Sequence, residues 1–291
     1  MNTPFECEGA PRDLGLDQGR ACRDALRAQC TDTSWRRLES LRLSERGRDR
    51  RVLRDVRRHF PQQAEQLEGL ARGAGVSVRR LARASWNALA STSRGSSLAL
   101  ACGGASLLAR SLPPDARARR TRPEGRYRSV ELTLPALTHP ILGVNEAGLA
   151  VACHAGPARI AACAAPAALL ARDCLERFSA VESALRWCLE RPAAPRAALL
   201  LVDAGGAAAA LEIAARVRDV RRPSGGVLAS GASPVSMAAL SERFADAALE
   251  PAAAAQVLAA SFDPPPPPFA FADPVGRRIW IPGAEAGWLE L

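Results

Sequence analysis

The texture of the chain changes abruptly at Gly95. Before it, apolar residues recur at helical spacing among many charges; after it come short apolar runs bounded by glycine. A chain that switches period in this way has to pack a helical part and a strand-rich part around a common core. In the first part the helical pattern runs from Leu14 to Leu43 and again from Glu45 to Phe60. Pro61 suits the first turn of a further helix, which continues to Gly73 and closes at Gly75. Ser77 has the residue type of an N-cap, and the helix it opens carries Leu81, Trp86 and Leu89 before Ser91 to Gly95 break the pattern.

Beyond Gly95, Ser96 to Ala101 and Ala105 to Arg110 flank Cys102-Gly103-Gly104, which predicts a hairpin whose turn needs the positive φ that glycine tolerates. Further strands are predicted at Ser129 to Leu134, Ile141 to Val144, Leu149 to Cys153, Ala197 to Val202, Ala207 to Ala214, Arg216 to Val220, Val227 to Ser230 and Arg277 to Ile281. Helices are predicted at Ala165 to Glu176, Ala180 to Glu190, Ala238 to Leu249 and Ala252 to Ala260, and Pro264 to Pro268 reads as a stiff extended connector. Strand runs on both sides of paired helices predict an α+β fold, two antiparallel sheets between helical layers. Periodicity alone does not choose among α+β folds.

Charge narrows the function classes. The formal net charge is +9, but every one of the 39 basic residues is arginine, a pattern of GC-rich coding rather than of a nucleic-acid groove. The densest stretch, Arg46 to Arg58, interleaves Arg with Asp and Leu as the solvated face of a helix does. No nucleic-acid partner is therefore expected. The Ala-rich stretches are interrupted every few residues by Arg, Asp or Pro, so no membrane span is expected and the chain reads as cytoplasmic. In that compartment its eight cysteines should be free thiols, with Cys7, Cys22, Cys30, Cys163, Cys174 and Cys188 read as small core residues. No CxxC pair or Cys/His cluster has ligand spacing, so neither metal nor cofactor is expected.

Three passages resemble one family. Pro61 to Val76 (PQQAEQLEGLARGAGV) is similar to a helix that precedes a cleavage site, and Gly143 to Val151 (GVNEAGLAV) matches a hairpin almost letter for letter. A looser series follows: Val202 to Gly206 leading to Leu211-Glu212, then Ser241 to Arg243 on a helix, then Ala272 to Pro274. Their order and spacing resemble the acyl-coenzyme A:6-aminopenicillanic acid acyltransferase family of N-terminal nucleophile (Ntn) hydrolases. The resemblance implies a four-layer αββα sandwich with a helical N-terminal segment, residues 1–95, and a core, residues 96–291, together one domain. It also implies a precursor cut once by itself before the nucleophile, leaving two pieces of one chain as a heterodimer.

By that resemblance the cut falls between Gly95 and Ser96, with Ser96 where the family has cysteine. A freed N-terminal residue offers a side-chain nucleophile and its own amine, whose pKa near 7.7–8.0 suits a general base. A hydroxyl is far less ionised than a thiol, so it leans more on base and oxyanion donors. Arg110 keeps its family letter. The aspartate expected near it is replaced by Pro113, with Asp115 as a substitute to orient the amine, and His154 stands where an asparagine would serve the oxyanion. Arg243 is a substrate-facing residue or a buried anchor. Asn145 and Gly148 are assigned to shaping the turn, His59 and His139 to structure or surface, and Cys102 to the hairpin turn. Two readings stay open: an amidohydrolase or acyltransferase acting on a small acylated amine or amide, and a degenerate relative kept as a binding or scaffold module.

Overall fold

A computed structural model describes residues 3–31, 43–92, 96–102, 105–155, 165–214, 217–223, 227–231, 250–260, 268–283 and 287–291. Its helices are α1 (Pro11–Ala21), α2 (Arg23–Thr31), α3 (Leu43–His59), α4 (Pro61–Ala74), α5 (Val78–Thr92), α6 (Leu169–Arg177), α7 (Val181–Glu190) and α8 (Pro251–Ala259). The strands are β1 (Phe5–Gly9), β2 (Ser96–Cys102), β3 (Ala105–Ser111), β4 (Arg117–Pro123), β5 (Ser129–Thr133), β6 (Leu142–Asn145) and β7 (Leu149–Ala155). They continue as β8 (Ala197–Asp203), β9 (Ala208–Ile213), β10 (Arg218–Arg221), β11 (Val227–Gly231), β12 (Phe269–Asp273), β13 (Arg278–Trp280) and β14 (Trp288–Glu290).

These strands form two sheets. The first runs β1-β4-β5-β6-β7-β8-β9-β10 and the second β11-β2-β3-β12-β13-β14. They face each other: β2, β3 and β11 lie over β7 and β8, and β12 and β13 over β5 and β6. Helices α6 and α7 cover the outer face of the first sheet, and α8 packs against β12 on the outer face of the second. The layers are therefore α, β, β, α, as expected. Strand alternation divides the apolar residues accordingly, with Ala99 and Leu108 in the core between the sheets and Leu98, Leu100 and Ala109 in a second core with Ala254 and Leu258 of α8.

The structure corrects the sequence reading at both ends. The N-terminal segment is not purely helical, because β1 joins the first sheet and pairs parallel with β4, whereas the other described strand pairs are antiparallel. Strands β4, β12 and β14 were not expected, and the single helical run from Leu14 ends as two helices that turn at Cys22. The predicted helix at Ala238 to Leu249, with Arg243, and most of the proline connector lie outside the described residues, as does Cys163.

The family-like passages occupy structural positions. In α4, Gly69 comes so close to α1 that a Cβ there would stand 2.0 Å from the Arg12 carbonyl oxygen, so glycine is what lets these helices touch. In the β6–β7 hairpin, Asn145 accepts the N–H groups of Ala147 and Leu149 and donates to the carbonyls of Leu175 and Phe178, locking the turn to the end of α6. Asp203 closes the β8–β9 turn through Gly205 and Ala207 and accepts the Val181 N–H at the start of α7. These residues build the scaffold, as assigned for Asn145 and Gly148.

Candidate active site

Three elements meet at the head of β2. Helix α5 ends at Thr92, β2 begins at Ser96, and Arg110 and Ser111 close β3 beside it, with Ser97 paired to Arg110. Opposite them, on the first sheet, β7 presents His154.

Ser97 Oγ lies 2.5 Å from His154 Nε2, a hydrogen bond that joins the two sheets. Neither side chain meets solvent appreciably. Burial, followed by the Arg110 charge, holds the His154 pKa well below the ordinary histidine value, and the Thr92 backbone offsets this only in part. The ring is therefore neutral near pH 7, and its Nδ1 makes no hydrogen bond among the described residues. With the ring hydrogen on Nδ1, Nε2 accepts from the Ser97 hydroxyl.

Arg110 is fully buried. Its Nη2 donates to the Thr92 carbonyl at 3.0 Å, satisfying one of the orphan acceptors at the end of α5. Its Nη1 donates to the carbonyl and hydroxyl of Ser111 at 3.1 and 3.0 Å and reaches the Ser96 carbonyl at 3.5 Å. Nε has no partner, and among the described residues Arg110 has no carboxylate to pair with. Burial lowers its pKa to about 10, which still leaves it cationic at neutral pH. The neighbouring Cys153 supplies no counter-charge, because burial pushes that thiol up to about 12. The Ser96 N–H donates to Ser111 Oγ at 2.9 Å.

The expected site residues thus part company. Ser96, Arg110 and His154 gather around the β2 head, but it is Ser97, unweighed in the sequence, whose hydroxyl meets the histidine. Alternation turns Ser96 to the other face of the strand, the side of Leu98 and Leu100. Asp115 does not join them: it is exposed in the β3–β4 turn and lines a cleft of about 460 Å³ with Gln29, Asn87 and Ser91. Its role as a substitute for the missing aspartate is corrected on that ground. Ser111 and Thr92, also unforeseen, hold what an acid was expected to hold. Gly95 and Arg243 lie outside the described residues, as does the Cys102 side chain. Among the described residues no cluster of His, Cys, Asp and Glu could hold a metal ion, and no helix is long and apolar enough to cross a membrane.

The family model described as acyl-coenzyme A:6-aminopenicillanic acid acyl-transferase matches residues 120–229. Over those residues the chain is similar to that family. The match takes in His154 and the GVNEAGLAV hairpin and stops short of the β2–β3 hairpin, where Ser96, Ser97 and Arg110 lie. No curated protein matches the chain. Among solved structures, a mutant of conjugated bile acid hydrolase from Clostridium perfringens aligns at 17% identity and TM-score 0.39, over 51% of this chain and 56% of its own. The chain thus spans little more than half the length of that structure. Penicillin V acylase from Agrobacterium tumefaciens aligns at 16% identity and TM-score 0.46, over 68% of this chain and 86% of its own. The Caenorhabditis elegans ortholog of N-acylethanolamine-hydrolyzing acid amidase aligns at 13% identity and TM-score 0.47, over 67% of this chain and 99% of its own.

Proposed function

We propose that the chain is a self-processing Ntn-type amidohydrolase or acyltransferase that acts on a small acylated amine or amide. One of the two serines at the head of β2 becomes its N-terminal nucleophile, and the family register alone would make it Ser96. Processing divides the N-terminal segment from the core at that strand head, between residues 1–95 and 96–291 if the family register holds, and the two pieces stay together as a heterodimer. The observation that carries this reading is the set of groups at one strand end: two adjacent serines, a neutral histidine against one hydroxyl, and a buried guanidinium against the intervening carbonyl. That set supplies a nucleophile, a base and a positive charge for a developing oxyanion, the three parts an acyl transfer needs. The matched family's description as an acyl-transferase supports the same reaction class.

A second reading, a degenerate relative kept as a binding or scaffold module, draws on one specific observation. Among the described residues no carboxylate forms an ion pair with Arg110 or His154, whose charge environments are set by burial and by each other or Cys153. Intact-mass measurement on the purified chain during incubation separates the two. Two fragments divided within Gly95 to Ser97, with amine release from a panel of N-acyl amines, support the enzyme. A chain that stays whole and releases no amine overturns it in favour of the scaffold.

A further inference from the structure

Building on the self-processing reading above, we infer that the bond cut is the one between Ser96 and Ser97, with Ser97 Oγ as attacking atom and His154 as its base. The cut thus falls one residue beyond the family register. Two contacts and the strand's alternation point to this bond. Ser97 Oγ touches His154 Nε2 at 2.5 Å. The carbonyl that precedes Ser97, that of Ser96, is the one Arg110 Nη1 reaches at 3.5 Å, a ground-state contact able to tighten on an oxygen that takes negative charge. Ser96 itself points to the opposite face of β2, toward the apolar core under α8.

The charge balance argues the same way. A buried guanidinium without an acid partner is costly, and among the described residues Arg110 has none in the uncut chain. Cutting after Ser96 creates a carboxylate on the very carbonyl that Arg110 already touches, so the product neutralises the charge that the precursor leaves unpaired. A cut before Ser96 would place its carboxylate on Gly95 instead.

The step balances without a co-reactant other than water. Ser97 Oγ bonds to the Ser96 carbonyl carbon through a five-membered ring while its proton passes to His154 Nε2. The C–N bond between the two serines then breaks, and the proton moves from His154 to the leaving nitrogen. This leaves Ser96 esterified to the Ser97 hydroxyl. Water hydrolyses the ester, giving a Ser96 carboxylate, a free Ser97 hydroxyl and a free Ser97 amine. The mature nucleophile then has both its own amine and His154 beside it.

The test uses the full chain. N-terminal sequencing and intact mass should give fragments 1–96 and 97–291, with masses that sum to the chain plus one water. Hydroxylamine added during processing should trap the ester as a hydroxamate on Ser96. Ser96→Ala should still cut and Ser97→Ala should not; Ser97→Cys, which preserves volume and nucleophile, should cut and guards against a folding failure. His154→Gln, checked for folding by circular dichroism, should slow cutting by about 10²-fold or more. A fragment that begins at Ser96, or cutting lost in Ser96→Ala and kept in Ser97→Ala, overturns this inference and leaves self-processing standing. A chain that never cuts overturns both.

Discussion

Arg110 grips the Thr92 carbonyl at 3.0 Å, so the end of α5 is pinned to the second strand of the β2–β3 hairpin. The helix that leads into the candidate junction and the strand that faces it therefore move as one piece, and the cation sits at the negative end of the helix dipole.

From that grip follows a contrast between stability and processing. Replacing Arg110 by Met removes a buried charge with no acid partner among the described residues but takes a donor from the Thr92 and Ser111 carbonyls. The two effects oppose, and the net change in unfolding free energy should stay within about 2 kcal/mol. Processing has no such compensation, because the lost charge faces the carbonyl under attack, and it should slow by about 10²–10³-fold. Urea unfolding and intact mass on the same Arg110→Met protein check both halves.

The heaviest buried polar cluster lies elsewhere, where Glu131 accepts from Arg119 at 2.6 Å and from Arg172 at 2.6 Å, with Ser129 and Thr121 on the same carboxylate. It joins β4, β5 and α6, and Arg119 also reaches Gln18 of α1. Removing the carboxylate takes the ion-pair partner from Arg119 and leaves Arg172 with Glu176, and neither guanidinium has any exposure to water. Glu131→Ala should cost about 3–5 kcal/mol, measured as a shift in urea midpoint at unchanged slope.

That cluster also shows which parts of the fold were legible. The long helices and the β6–β7 hairpin could be read, because α4 begins on Pro61 and the turn is written in Asn145 and Gly148. Strand β4 could not: its sequence, RARRTRP, has the look of a solvated loop, and only the arrival of Glu131 from β5 and Gln18 from α1 makes a buried Arg119 tolerable. Short β1, with a glutamate on either side of Cys7, hides for the same reason, since its partner lies far along the chain. At the candidate site, Arg110 is singled out because it keeps the family letter and His154 because it stands where an asparagine would. Ser97 was missed because neighbouring serines differ only in the face they present, which register decides and composition does not.

Acid should destabilise the chain in two windows. Burial lowers His139 from 6.5 to about 3 and His154 in the same direction, so below about 6.5 the unfolded chain binds protons that the folded one refuses. Stability is therefore whole above 6.5 and falls as pH drops toward 3, by up to about 5 kcal/mol for His139. Glu131, held near 2 by its two arginines against an ordinary 4.5, adds a loss that begins only below 4.5. Urea midpoints at pH 7.5, 5.5 and 3.5 resolve the windows, and His139→Gln should shrink the upper one, leaving the His154 share and the lower window in place.

Gly148 offers a test of the scaffold free of the chemistry. Its φ is +85°, in the left-handed region, and a Cβ there would stand 2.8 Å from the Ala204 side chain and 3.0 Å from the Pro274 carbonyl oxygen. Ala204 belongs to the β8–β9 turn and Pro274 follows β12, so a Cβ at the hairpin tip would meet one segment from each sheet. Gly148→Ala meets both the backbone strain and the clash, and should cost about 2 kcal/mol or more.

The pH dependence of processing separates the histidine from an amine as base. An uncut chain has no amine at the junction, and His154 is neutral well below pH 6.5, so the processing rate should stay level from pH 8 down through 6.5 and fall only in stronger acid. Among the described residues the groups that face the ring are Ser97 from β2, Arg110 from β3 and the Thr92 backbone from α5, and of these only Arg110 carries charge. Arg110 holds its proton through this range, so it adds no inflection of its own. In the processed protein the Ser97 amine, with an ordinary pKa near 7.7–8.0, is free to take over. If it does, amide hydrolysis should rise between pH 7 and 8 while processing does not. Measuring both rates across that interval on the same preparation distinguishes one base acting throughout from a histidine that hands its task to an amine.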